Sequence, residues 1–226
     1  PRYSMAKVPN CNQHLEGAVV LKPPSREAWF TCVPEMLLLC NEAQRRFLRK
    51  NPVKAKAESE NMQSKPLGLE YIADRVDTDD PIQGYVVRSE AEGYLQGFIT
   101  YTTFTTWHQD FQWNSLVQEA GITDNEKRSR VWDYDGSLAQ ALQSIPHSGN
   151  PKQEGIVWKR LAEISLLGAL GCGKDLLAAL LEELEVEGKY DYVVLQATDN
   201  AIGFYERMGF IRVGAVAKPD QEFLTR

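Results

Sequence analysis

The residues most able to do chemistry lie in a glycine-rich stretch, Gly168-Ala-Leu-Gly-Cys-Gly-Lys174, between two apolar segments of different period. The stretch matches the first seven positions of the phosphate-binding loop Gly-x-x-x-x-Gly-Lys-Ser/Thr, whose backbone amides hold nucleotide phosphates. Asp175 stands where that loop needs a hydroxyl, and its carboxylate would repel phosphates. A dinucleotide-binding fingerprint also fails, because Leu176 occupies the position of its third glycine. Both nucleotide-binding classes are therefore disfavoured.

A more general property of the stretch remains. Glycines after a strand let the backbone approach an anion closely, and the start of the next helix offers unpaired N–H groups and a partial positive charge. The stretch therefore favours binding of a pyrophosphate. The alternative is a tight turn in which the glycines only allow the strand and the helix to pack closely.

The elements around the glycine stretch alternate between β and α patterns. Helical patterns at 173–187 and 200–208 separate three strand patterns, which fall at 156–167, 190–197 and 210–217. Such alternation predicts parallel β-α-β units with helices packed on the sheet.

The N-terminal part of the chain predicts a long helix followed by a linker. Residues 1–24 are irregular, and Ser25 is a good N-cap for an amphipathic helix with a kink at Pro34. That helix ends in a basic run at 45–50, which is typical of a solvated helix end. The polar segment 51–66 is typical of a linker.

Between the linker and the β-α-β region, the sequence predicts a strand and a hairpin. The strand is expected at 67–76, closed by the acidic turn Asp77-Thr-Asp-Asp-Pro81. Segments 83–89 and 94–104 are rich in β-branched and aromatic residues, and they predict an antiparallel hairpin. Asp77, Asp79 and Asp80 are acidic groups that could attract a basic peptide, although a charge run at a turn is usually solvated.

An unusually aromatic and irregular segment spans 105–155. It contains a short helical pattern at 137–145 and five bulky aromatic residues: Trp107, Phe111, Trp113, Trp132 and Tyr134. We interpret these aromatic side chains as a satellite core rather than a ligand cage. His108 and His147 are interpreted in the same way, as structural or solvated residues.

Composition excludes several classes of protein. Of the 226 residues, 43% are hydrophobic and 25% charged, which is ordinary for a globular protein, and no apolar run is long enough to span a bilayer. The net charge of −6 disfavours a protein dedicated to binding nucleic-acid phosphates and suits a cationic substrate. Because the chain opens with Pro1 and shows no signal-like segment, we expect an excised or processed piece.

The cysteines predict an intracellular, reduced protein. Cys11, Cys32, Cys40 and Cys172 lack the spacing of a disulfide framework or of a zinc pair. Cys11 and His14 form a lone Cys-x-x-His, which without a second pair predicts no metal site.

Two segments together resemble the coenzyme A-binding core of the GNAT N-acetyltransferases. They are LAEISLLGALGCGKDLLAALL, from Leu161, and YDYVVLQATDNAIGFYERMGF, from Tyr190. The family signature is a strand, an Arg/Gln-x-x-Gly-x-Gly/Ala loop, a second strand and a helix ending in Tyr-x-x-x-Gly-Phe, here Tyr205 to Phe210. The chain departs from this signature at Gly168, which replaces Arg or Gln, and the segment before Gly171 is shorter than in the histone-acetylating branch.

The resemblance implies an α/β GNAT fold within a single domain, residues 1–226. Its parts would be an N-terminal helix and linker (1–66), an antiparallel hairpin in a mixed central sheet, a long aromatic insertion (105–155) and a β-α-β acetyl-CoA-binding core (156–217). The implied activity is acetyl-CoA-dependent N-acetyl transfer. Leu161-Ala-Glu-Ile164 and Ala201-Ile-Gly203 look most like the histone-lysine acetyltransferase branch.

The resemblance also implies roles for individual residues. A lysine side chain has a pKa near 10.4, so acetyl transfer needs a base, and Glu163 matches the family's catalytic glutamate. Tyr205 matches the tyrosine that protonates the departing thiolate, although it could instead pack the core. A backbone amide near Leu167 would stabilise the oxyanion. The amides that would bind the cofactor are those of Gly171, Cys172, Gly173, Lys174 and Asp175.

The expected partner is a basic protein or peptide such as a histone tail, with no direct contact to nucleic acid or membrane. The localisation would then be nuclear, and otherwise cytoplasmic. Two alternatives stay open: a small-molecule amine acetyltransferase whose aromatic insertion closes over the ligand, and a non-catalytic acyl-CoA-binding scaffold.

Overall fold

The structure is a computed structural model that describes residues 18–50, 68–116, 131–198 and 200–216. Its helices are α1 (Arg26–Lys50), α2 (Leu69–Thr78), α3 (Ser137–Gln143), α4 (Gly173–Glu187) and α5 (Ile202–Arg207). Its strands are β1 (Ala18–Leu21), β2 (Gln83–Ser89), β3 (Leu95–Thr106), β4 (Gln112–Trp113), β5 (His147–Ser148), β6 (Ile156–Ala169), β7 (Tyr192–Leu195) and β8 (Ala215–Val216). None of the helices in these ranges is long and apolar enough to cross a membrane.

A mixed sheet carries most of the strands. Its order is β1-β2-β3-β6-β5, and β7 also pairs with β6, while β4 and β8 form a separate two-stranded sheet. The predicted hairpin is confirmed as the antiparallel pair β2–β3, in which Tyr85 lies opposite Ile99. The predicted α/β class, with a mixed sheet and an N-terminal hairpin, is therefore confirmed.

The chain divides into two compact units. The first unit comprises the described residues of Ala6–Thr102 and Glu163–Lys189, and the second those of Thr103–Ala162 and from Tyr190 onward. Strands β3 and β6 each contribute residues to both units. The division leaves the single-domain organisation a prediction.

Helices α1 and α2 form the core of the first unit with the hairpin. Trp29 and Met36 of α1, Ile72 and Val76 of α2 and Phe98 of β3 are fully buried in one cluster. The predicted N-cap is confirmed, because the Ala28 N–H donates to Ser25 Oγ at 3.3 Å. Helix α1 continues through Pro34. The predicted linker at 51–66 lies outside the described residues.

The strand predicted at 67–76 is wrong, because residues from Leu69 onward form helix α2. Leu69 and Tyr71, two apolar residues of the predicted strand, are both exposed. Ile72 and Val76, four residues apart, are the ones that enter the core. Spacing of that kind places both side chains on one face of a helix, and their burial outweighs the local β pattern.

The strand predicted at 210–217 is also wrong in length and in partner. Of residues 210–216, which the structure describes, only Ala215–Val216 forms a strand, and it pairs antiparallel with β4, while Arg212 makes an isolated bridge with Trp132. Gly214 explains the pairing, since its carbonyl accepts the Asn114 N–H at 2.8 Å and its N–H donates to Ser115 Oγ at 3.1 Å. The bond to Asn114 continues the register of β4 and β8 by one residue, so this segment pairs with the aromatic insertion and β8 belongs to the separate two-stranded sheet.

Aromatic side chains build the core of the second unit, as the sequence predicts. Phe104, Phe111, Trp113 and Trp158 pack with ring centroids 5.0 to 5.8 Å apart, and His147 stacks on Trp158 at 4.3 Å. Trp107 and Tyr134 stay exposed. The predicted short helix is confirmed as α3, whose first turn is held by the buried carboxylate of Asp133.

We expect Gly168→Ala to destabilise the protein. A Cβ at Gly168 would lie 2.5 Å from Phe98 Cε1 and 3.0 Å from Cys40 Sγ. The added methyl group would overpack the core and lower the free energy of unfolding by about 1–3 kcal/mol. A lower urea midpoint would report this. The control is Gly203→Ala in α5, where a Cβ would meet only Arg207 Nη1, at 3.4 Å. Its midpoint should stay or rise, and equal losses in both variants would contradict the packing argument.

Candidate active site

The glycine stretch connects β6 to α4 by a short loop, residues 170–172. The Leu170 N–H donates to the Gln96 carbonyl at 2.9 Å, which ties the loop to the first residues of β3. Gly171 has φ +105°, a backbone conformation that other residues rarely adopt. The glycine is thus required by the turn itself.

Cys172 is a packing residue of this loop. Its side chain is buried, and its Sγ lies 3.6 Å from the Gln96 carbonyl oxygen. Gly97 leaves room for it, since a Cβ there would come within 2.6 Å of the sulfur. Burial, with Asp175 adding to it, raises the pKa of the Cys172 thiol and keeps it protonated. A buried, protonated thiol is a poor nucleophile.

The start of α4 fits an anion such as a pyrophosphate. The first N–H groups of a helix have no partner within the helix, and the N-cap, Cys172, makes no capping bond through its side chain. A Cβ at Gly171 would meet nothing within 4 Å, so the space beside the loop is open. Lys174 is exposed at the same helix end. Backbone donors, open space and a lysine therefore coincide.

Asp175 is the one group at this helix start that opposes an anion. The residue is 4% exposed, and no group in the described ranges donates a hydrogen bond to its Oδ2. The partial positive charge of the helix end stabilises a carboxylate at this position. The backbone N–H of Asp175 lies in the first turn of α4. The predicted contact with the cofactor therefore concerns this N–H and not the carboxylate, and it stays a prediction.

Gly168, where the family signature has Arg or Gln, lies within β6 rather than in the loop. Because the Phe98 ring occupies the space beside it, the position has no room for a side chain. The departure from the signature therefore has a steric cause.

Glu163 lies on β6, on the strand that leads into the loop. Its side chain is only 15% exposed, and its Oε1 lies 3.9 Å from Nη1 of Arg75 in α2. Burial raises the pKa of the Glu163 carboxyl; Arg75 opposes the shift and Asp79 adds to it. A carboxyl with a raised pKa accepts a proton more readily than an exposed glutamate does.

Asp79 is a residue whose role sequence reasoning missed. It follows α2 directly and is 5% exposed, whereas the sequence suggested a solvated acidic turn at this point. Of the other two aspartates of that turn, Asp77 belongs to α2 and Asp80 is exposed. Burial raises the pKa of Asp79, against the effects of the nearby Ser165 hydroxyl, Arg75 and Arg26. The sequence signal that could have revealed this is the spacing of four residues between Arg75 and Asp79, which places the two residues close together if α2 is a helix.

Tyr205 and Leu167 occupy different surroundings. Leu167 is half-buried on β6. Tyr205 lies on α5 in the second unit, where its ring contacts Phe204 and Phe210 with centroids 5.1 and 5.7 Å apart. Burial raises the pKa of Tyr205 to about 12. The phenol is therefore protonated at neutral pH, and it also packs against its neighbours.

Comparison with known proteins identifies the type of domain. Residues 169–221 match the family model described as the acetyltransferase (GNAT) domain. No curated protein sequence matches the chain. The matched segment begins at the end of β6 and includes the glycine loop, α4, β7 and α5.

Several solved structures are similar in fold at low identity. A GCN5-related N-acetyltransferase from Ralstonia eutropha is 16% identical with a TM-score of 0.41, covering 90% of this chain and 99% of its own. An acetyltransferase from Trypanosoma brucei is 12% identical, with the same TM-score and coverage. A ribosomal-protein-alanine N-acetyltransferase from Brucella melitensis is 11% identical, with a TM-score of 0.37 and coverage of 90% and 93%. These values are too low to transfer a substrate.

The family match and the mixed sheet together define the class of protein. The chain has the GNAT fold and is an acyltransferase. Proteins with this domain in general use acetyl-CoA.

We expect Gly171→Ala to weaken binding of coenzyme A about tenfold or more, because a non-glycine residue at φ +105° costs about 1–3 kcal/mol and would distort the loop. Isothermal titration calorimetry measures the change. Gly188→Ala is the matched control: it lies just past the other end of α4 at φ +63°, also with nothing within 4 Å of a Cβ. That variant should lose stability but keep its affinity, and equal affinity losses would contradict a role for the loop.

Proposed function

We propose that this protein transfers the acetyl group of acetyl-CoA to an amine, with Glu163 as the general base. We further propose that the amine is a lysine of a histone or of another basic protein. The observation that carries the proposal is a nearly buried glutamate, 3.9 Å from Arg75 and with a raised pKa, on the strand that leads into the glycine loop.

The chemistry of an amine acceptor explains why such a glutamate is needed. An alkylammonium group with a pKa near 10.4 is almost fully protonated at neutral pH and has no free electron pair. Glu163 would take one proton from the ammonium nitrogen, and the neutral amine would then form the bond to the acetyl carbon while the carbon–sulfur bond breaks. The second proton that the nitrogen loses would go to the departing thiolate, which leaves as the free thiol of coenzyme A. A base is most effective when its pKa approaches the working pH, and the raised pKa of Glu163 moves it in that direction.

Residues of the first unit would hold the cofactor, which supplies the acetyl group as an activated thioester. The proposed pyrophosphate donors are the backbone amides of Gly171, Cys172, Gly173, Lys174 and Asp175, which surround the start of α4. The amide of Leu167 is the proposed donor to the acetyl carbonyl oxygen.

Tyr205 is proposed to serve the leaving group as a hydrogen-bond donor. Its pKa of about 12 lies above the value near 8.5 of an ordinary cysteine thiol. Complete transfer of the phenolic proton to such a thiolate would therefore be unfavourable. Donation of a hydrogen bond from the neutral phenol requires no such transfer.

Charge supports a cationic acceptor. The chain carries a net charge of −6, and in the first unit the buried Asp79 lies close enough to the nearly buried Glu163 to raise its pKa. For a histone substrate the proposed localisation is nuclear, and otherwise cytoplasmic; the proposed partner is the basic protein itself, without direct contact to nucleic acid or membrane. A small-molecule amine is the second candidate, supported by the exposed aromatic rings of Trp107 and Tyr134 on the insertion.

Two measurements test this proposal. Calorimetry with acetyl-CoA should show binding, and free-thiol release should then be assayed with histone-tail peptides and with small polyamines. Faster thiol release with the peptides supports the lysine proposal, whereas faster release with polyamines supports the second candidate. Binding without turnover of any amine would overturn both in favour of a non-catalytic scaffold.

We expect Glu163→Gln to lower kcat/KM about 100-fold or more, because a glutamine accepts no proton. In the unmodified protein, activity should fall as the pH drops through the pKa of Glu163, at a higher pH than the ordinary glutamate value of about 4.3. A pH–rate profile measures both effects. Glu185→Gln, on the exposed side of α4, is the control and should leave the profile unchanged. Full activity in Glu163→Gln would remove the proposed base.

A further inference from the structure

We propose that Arg75 is a positioning residue for Glu163, and that Asp79 balances the charge of Arg75 so that the glutamate is held in place without losing its basicity. The inference rests on the proposed role of Glu163 as general base. It assigns a function to α2, a helix that carries no residue of the family signature.

Helix α2 presents Arg75 from a fixed backbone. Ile72 and Val76, on either side of it in sequence, are fully buried in the core of the first unit. The Arg75 side chain is 30% exposed, and its Nη1 reaches to 3.9 Å from Glu163 Oε1. That distance allows an ion pair but is too long for a strong hydrogen bond, so Arg75 does not prevent Oε1 from accepting a substrate proton.

Asp79 is attached to the same helix turn. Its N–H donates to the Arg75 carbonyl at 3.1 Å, and its own carbonyl accepts a hydrogen bond from Nη2 of Arg26 at 2.8 Å. These two backbone bonds hold the buried aspartate close to Arg75. The placement therefore comes from the backbone at the end of α2, not from a flexible surface side chain.

The charges around Glu163 act in opposite directions. Arg75 alone would stabilise the glutamate anion and weaken it as a base, whereas Asp79 destabilises the anion. Arg75 itself faces Glu163, Asp79 and the Tyr71 hydroxyl, and Asp79 faces Ser165 and Arg26 as well. Neutralising Arg75 and neutralising Asp79 should therefore shift the titration of Glu163 in opposite directions.

The test is a direct titration of Glu163 in the full chain. Carbon-13 labelling of glutamate side chains and NMR follow each carboxyl carbon with pH, and the signal missing from Glu163→Gln assigns the resonance. Arg75→Gln should raise the titration midpoint of Glu163 by about one pH unit, and Asp79→Asn should lower it by about one. Arg75→Lys keeps the charge and should stay within a few tenths of a unit of the unmodified protein. Arg46→Gln, which removes an exposed ion pair on α1, is the control and should leave the midpoint unchanged.

Kinetics on a histone-tail peptide and on spermidine separate this inference from the proposed function. Opposite shifts of the acidic limb in Arg75→Gln and Asp79→Asn, with recovery in Arg75→Lys, support it. Unmoved midpoints, with Glu163→Gln inactive, overturn the inference and leave the proposed function standing. Full turnover by Glu163→Gln overturns the proposed function and the inference with it. If Asp79→Asn fails to fold, the comparison of Arg75→Gln with Arg75→Lys decides the question, because that side chain is partly exposed.

Discussion

Close packing at two glycines, one on β3 and one near the end of β6, is the constraint on which the first unit depends. Gly97 on β3 and Gly168 on β6 both face groups that leave no room for a Cβ, the Cys172 sulfur in one case and the Phe98 ring in the other. Close packing at these two positions brings the loop against the first residues of β3 and sets where α4 begins. The open side of Gly171 and the unpaired amides at the helix start follow from that placement.

A second constraint is electrostatic. Burial raises the pKa of both Glu163 and Asp79, so the folded state binds their protons more tightly than the unfolded chain does. The stability that this gives is present below the ordinary carboxyl pKa values and is lost as pH rises through the raised ones. At neutral pH the two carboxylates therefore cost stability, a cost that the neighbouring arginines reduce. Such a cost is common where a side chain serves a reaction rather than the fold.

The second unit shows a different way of supporting a long excursion from the sheet. Phe104 and Trp158 come from the two long strands, and the insertion adds Phe111 and Trp113 to the same cluster. Buried Asp133 holds the start of α3, and the bonds of Gly214 tie the last described strand to the insertion. Large aromatic surfaces and a few backbone bonds thus organise a segment with little regular structure.

Local patterns in the sequence determined the hairpin, the long first helix, the bounds of α4 and the glycine loop at its start. Each depends on periodicity, capping or glycine within a short window, so the information lies where the element lies. The glycine motif and the position of Glu163 were likewise visible, since they belong to one continuous segment. Only the tertiary structure decided that residues 69–78 are a helix, that Asp79 is buried beside Arg75 and that Ala215–Val216 pairs with β4. Those outcomes depend on contacts with residues distant in the chain, whose burial and hydrogen bonds override the local preference.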